Sequence, residues 1–146
     1  MQDRGGLGLS LEPSLWDDLG LFVRTGVADG SKETHEFTDI DRTVAAGLWL
    51  RGTRLGRCDD VFAVGVVVSR ISKAHQRFLN AGGLGILVGD GKLPLSGDEA
   101  IVETHYDAAT AQGLRLSLER QLINQPSYNR DRGRVYLVGA RPHAQF

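Results

Sequence analysis

The most constraining feature of this chain is alternation of apolar and polar side chains over runs of about ten residues. In 114–122, Leu114, Leu116, Leu118, Arg120 and Leu122 share one face, and Arg115, Ser117, Glu119 and Gln121 share the other. A period of two is the signature of a strand with unlike faces. The run length adds a second constraint. Strands of water-soluble sheets average about five to six residues, whereas a tilted strand that crosses a bilayer needs about nine to eleven. The runs 7–12, 19–28, 42–52, 61–71, 100–110, 114–123 and 134–146 predict about seven strands, mostly of the longer kind. "SKAHQRFLNAGG" at 72–83 differs, and predicts a short helix capped by Ser72 and ended by its glycine pair. The chain reads as all-β and antiparallel, up and down, with one short loop helix.

The connections alternate in length. "GTRLGRCDD" and "AQG" are short, whereas "DGSKETHEFTDI" and the segment from Ser72 to Glu99 are long. Short turns at one end and long loops at the other characterise outer-membrane barrels. A soluble β-barrel or sandwich, with the apolar face as its core and a small polar ligand in a cavity, produces the same alternation. Pattern alone leaves both architectures open.

Composition removes other classes. A formal net charge of -1 leaves no nucleic-acid footprint. The single cysteine, Cys58, allows neither an internal disulfide nor a thiolate cluster. The most apolar run, "VFAVGVVVSRI", is too short for a membrane helix. The start, "MQDRGGLGLSLEP", lacks the basic and apolar regions of a signal peptide. "DGSKETHEFTDID" lacks EF-hand spacing and "GGLGILVGDG" lacks the Gly-Lys-Ser/Thr of a phosphate loop. No Ser/His/Asp grouping has supporting context. The expectation is no metal, no cofactor and no enzyme.

Five phrases occur in a specific order: "DDLGLFVRTGVADG", "FTDIDRTVAAGLWLRGTRLGRCDD", "VVVSRISKAHQRFLNAGGLGILVGDG", "EAIVETHYDAAT" and "NQPSYNRDRGRVYLVGARPHAQF". Together, over about residues 5–146, they resemble the C-terminal portion of the carbohydrate-selective, OprB-type porins of Gram-negative outer membranes. The resemblance implies a transmembrane barrel of sixteen strands that admits sugars by passive diffusion. On that basis residues 1–146 are expected to be a single, incomplete domain, with a signal peptide and earlier strands lacking. An outer-membrane location is then expected once a signal peptide is restored. Further implied are a periplasmic C-terminus, periplasmic turns at 13–18, 52–60 and 111–113, and outer loops at 29–41, 72–98 and 124–133. The implied partners are carbohydrates such as monosaccharides, outer-membrane lipid, the barrel-assembly machinery and a second copy of the chain, with no nucleic acid.

A porin needs a wet lumen lined by hydrogen-bonding groups. The inward registers offer Arg24, Trp49, Arg51, Glu103, His105, Asp107, Arg115, Glu119, Gln121, Arg141 and His143 as channel-lining, sugar-contacting candidates. The helix loop either folds into the channel or caps the surface, with His75 expected at the surface. In the last strand, Tyr136, Val138 and Phe146 fall on the apolar face, and the resemblance implies that they form the insertion signal. Three positions depart from the family pattern. Arg120 stands where an aromatic is usual, Cys58 where a proline is usual, and Pro142 where a leucine is usual.

Overall fold

The computed structural model describes residues 4–31, 39–85, 88, 92–93 and 95–145. Eight strands form one antiparallel sheet: β1 Gly6–Leu11, β2 Ser14–Trp16, β3 Leu19–Ala28, β4 Arg42–Gly52, β5 Arg57–Arg70, β6 Glu99–Ala111, β7 Leu114–Asn124 and β8 Arg134–Ala144. The spatial order is β1-β3-β4-β5-β6-β7-β8, with β2 added onto β3. From β3 onward each strand therefore pairs with its neighbour in sequence, the up-and-down order that the alternation predicts. β1 and β8 form the two ends of this order.

The sequence and the structure differ at the short-turn end. The segment 13–18 was expected to be a turn, but it contains the three-residue β2. β5 begins at Arg57, not at Val61. The reason is local. Thr53–Leu55 forms a 3-10 turn, and Gly56 (φ 70°) reverses the chain in the left-handed region open to glycine. Arg57 then pairs with Gly52 after a register shift. Asp60 is buried there and accepts hydrogen bonds from Arg57, from the Tyr106 hydroxyl and from the Ala109 amide at 2.9 Å.

The registers fix two faces. Leu48 pairs with Leu21 and Val64, Phe62 with Leu50 and Tyr106, and Leu118 with Tyr106 and Ala140. These residues share one face, and it is uncovered: Leu48 is 41% exposed, Leu118 47% and Val138 83%. A soluble sandwich would bury this face under a second sheet, and the described residues form only one sheet. Tyr136 and Val138 lie on this face, opposite Leu122 and Arg120. Phe146 lies outside the described residues.

The buried core sits elsewhere, under the long connections. Ile71, Leu79, Val88, Leu93 and Tyr128 make one cluster. Helix α1, Lys73–Asn80, follows β5, and the Ser72 hydroxyl caps it by accepting the His75 amide at 3.0 Å. Asp41, 2% exposed, ties three segments together. It accepts from the Ser72 amide at 2.6 Å, pairs with Arg4, and meets His75 Nδ1 at 3.2 Å. His75 was expected at the surface, but its side chain is only 12% exposed and also approaches Asp39 at 3.8 Å. Burial holds the Tyr128 hydroxyl well above its ordinary pKa.

The edge strand β8 has one asymmetry. The Gln145 amide donates to the Gly113 carbonyl at 2.8 Å. Amides alternate direction along an antiparallel strand, so His143 and Arg141 direct theirs toward β7. Pro142 occupies the outward-directed slot, where the missing N–H costs this sheet nothing.

Candidate functional site

All of the residues singled out as channel-lining candidates fall on the face opposite the exposed apolar one. Arg24 is opposite Ala45, Trp49 lies between Gly20 and Ala63, and Arg51 is opposite Val61. Glu103, His105 and Asp107 pair with Gln121, Glu119 and Ser117. Arg115 pairs with Ala109 and His143, and Arg141 pairs with Ser117.

Across β6, β7 and β8 these side chains form a ladder of paired groups. Gln121 Nε2 donates to Glu103 at 2.6 Å. Glu119 is shared by His105, at 3.5 Å, and by Arg141. Arg115 donates to Asp107 at 2.8 Å, and the Ser117 hydroxyl donates to the same carboxylate at 3.1 Å. Cross-strand proximity of this kind is what alternation on adjacent antiparallel strands dictates. The chemistry is a row of planar donors and acceptors held in fixed orientation.

β3 and β4 carry a different arrangement. The Trp49 and Phe22 rings lie against glycines directly opposite them. A Cβ on Gly20 would fall 2.2 Å from the Trp49 ring, and one on Gly47 2.4 Å from the Phe22 ring. The Arg24 guanidinium lies 5.5 Å from the Phe22 centroid and the Arg51 guanidinium 5.8 Å from the Trp49 centroid, within cation–π range. Arg24 also pairs with Glu12. Between this aromatic strip and the polar ladder lies a shallow cavity of about 250 Å³, bordered by Phe22, Ala45, Ala63, Gly65, Glu103 and His105.

The structure thus brings Glu103, His105, Asp107, Arg115, Glu119, Gln121 and Arg141 into contact in groups. Arg24, Trp49 and Arg51 form a separate strip. Sequence reasoning missed Phe22 and Ser117. Phe22 stands two residues before Arg24 and so shares its face, a signal already present in the alternation. The glycine seats opposite the rings depend on cross-strand register, which one strand read alone does not contain.

A meander of long antiparallel strands with one uncovered apolar face and one face of ordered polar groups and flat rings is a segment of transmembrane β-barrel wall. The comparisons specify it further. The family model for carbohydrate-selective porins of the OprB family matches residues 2–146, and the chain belongs to that family. No match was found among curated proteins. The high-pH structure of Pseudomonas putida OprB is similar in fold, with a TM-score of 0.68 at 21% identity. The similarity covers 88% of this chain and 30% of that one, so the chain spans under a third of the length of that relative.

Proposed function

We propose that this chain forms the C-terminal part of the wall of an outer-membrane porin through which sugars diffuse passively. The carrying observation is the division of one sheet into an uncovered apolar face and a face of paired polar groups and glycine-seated rings. The apolar face suits lipid, and the polar face suits a water-filled lumen. Sugars present hydroxyl edges and apolar C–H faces. The Glu103–Gln121 and His105–Glu119–Arg141 groups offer partners for hydroxyls, and Phe22 and Trp49 offer flat surfaces for C–H faces. The cavity between them is large enough for a monosaccharide ring to rest against the wall. Passage of this kind includes no catalytic step. On this reading the long connections lie on the outside of the cell and the short turns in the periplasm. Tyr136, Val138 and Phe146 serve as the signal for the assembly machinery.

The face assignment is tested by single cysteines in a Cys58→Ser background, with the chain in phosphatidylcholine vesicles. A charged maleimide is expected to label Ala63→Cys and Glu119→Cys rapidly and Leu48→Cys and Leu118→Cys slowly. Added monosaccharide should slow labelling at Ala63→Cys, which borders the cavity. Equal labelling of both faces would sink the proposal.

A further inference from the structure

The uncovered apolar face does not end uniformly. Toward the short turns Leu50 and Phe62 continue it, whereas toward the long loops it ends in cations. Arg42 and Arg70 are opposite each other in the register, two positions beyond the Val44–Val68 pair and therefore on the same face, with the Thr43–Ser69 pair between them. Val44 and Val68 are both exposed. Above them, Lys73 opens helix α1 and Arg130 lies in the 3-10 turn before β8. These four cations border a groove of about 480 Å³ together with Gln76, Ser96 and a single carboxylate, Asp98.

The charges are unbalanced. Asp98 is engaged by Arg70, whose Nε donates to it at 2.7 Å and whose second nitrogen pairs with its other oxygen. Arg42 and Lys73 have no carboxylate partner among the described residues, and both are exposed. Four cations line the groove beside one carboxylate, on a surface continuous with exposed valines, and such a concentration of one sign of charge attracts an anionic occupant. That occupant must be polyanionic where it meets the groove and apolar where it meets Val44, Val66 and Val68. Arginine forks match phosphate oxygens in pairs, and a basic patch at a membrane boundary attracts anionic headgroups.

We infer that this groove holds the phosphorylated headgroup of a membrane lipid whose acyl chains lie along the β4–β5 apolar stripe. The inference rests on the reading of that face as lipid-facing and adds the headgroup class and its site. A free phosphate ion would satisfy the cations but not the valine stripe, so the lipid is the occupant.

The test is flotation of the chain with phosphatidylcholine vesicles containing diphosphoryl lipid A, its dephosphorylated counterpart or neither, in chelator-treated buffer without divalent ions. The chain is expected to bind the diphosphoryl vesicles most tightly. Combining Arg42→Gln, Lys73→Gln and Arg130→Gln should weaken that binding roughly a hundredfold, from the usual worth of a basic residue near an anionic surface. Arg70 is left in place because it holds Asp98. Asp98→Asn should act in the opposite direction and tighten binding, which a merely misfolded variant would not do. Arg54→Gln, a cation at the short-turn end, should change nothing. Equal binding to all three vesicle types overturns the inference while leaving the membrane reading intact. Binding to diphosphoryl vesicles alone, lost in the triple variant, supports the groove and defeats the membrane-spanning reading. Complete displacement of the lipid by inorganic phosphate at equal concentration would assign the groove to the free ion and overturn the lipid proposal.

Discussion

Arg120 occupies the middle of β7, between Leu118 and Leu122, and is opposite Thr104 and Val138 on the apolar face. It is exposed there. A lipid-facing arginine costs about 2–4 kcal/mol near the bilayer midplane and about 0–1 kcal/mol near its edges. Arg120→Leu is therefore expected to stabilise the sheet in vesicles by about 2 kcal/mol or more, read as a higher urea midpoint. An unchanged midpoint would place Arg120 at the bilayer edge or beside a partner. This residue was legible as outward-facing from alternation alone, and the registers agree. The same rule assigned a face to each lining candidate, because a period of two leaves no choice once one residue is placed. What it did not reveal was which side chains meet. The sharing of Glu119 by His105 and Arg141 depends on the stagger of three strands, which no single run encodes.

Among the elements, the connection between β5 and β6 is anchored by Arg70 and Asp98. The hydrogen bond from Arg70 holds the Asp98 carboxyl below its ordinary pKa, against the opposing effect of burial. A carboxyl with a lowered folded-state pKa contributes its stabilisation fully above the unfolded value of about 3.9, and loses it as pH falls through the folded value. Amide hydrogen exchange around residues 96–100 should thus accelerate below about pH 4 beyond its intrinsic pH trend. In Asp98→Asn that extra acceleration should be absent. If both chains show it equally, another group controls the connection. Element boundaries were legible where turn chemistry was plain. α1 forms where Ser72 and the glycine pair mark its ends. β2 and the early start of β5 were hidden because "EPSLWDD" and "GRCDD" carry turn-forming residues. Their strand character comes from pairing with β3 and from the buried Asp60, both tertiary in origin.

For the molecule as a whole, the order of strands was readable and the sheet's two ends are its unfinished feature. An unpaired edge is not tolerated in lipid, so β1 and β8 require neighbours in any membrane-inserted state. Pro142 turns its missing donor toward that neighbour. Pro142→Leu is expected to leave the pairing of β8 with β7 unchanged. In a barrel closed along this edge it should add one hydrogen bond, worth about 1 kcal/mol, and raise assembly yield. Equal yields for the two chains would show that the closing strand does not use this position. The polar face has a consequence of another kind. Because Trp49 and Phe22 rest in the space where Gly20 and Gly47 lack side chains, the two rings can lie close to the main chain of the neighbouring strand. In the proposed channel a solute would meet ring faces held low against the sheet there, with the Arg24 and Arg51 side chains as the parts of the strip that rise from it.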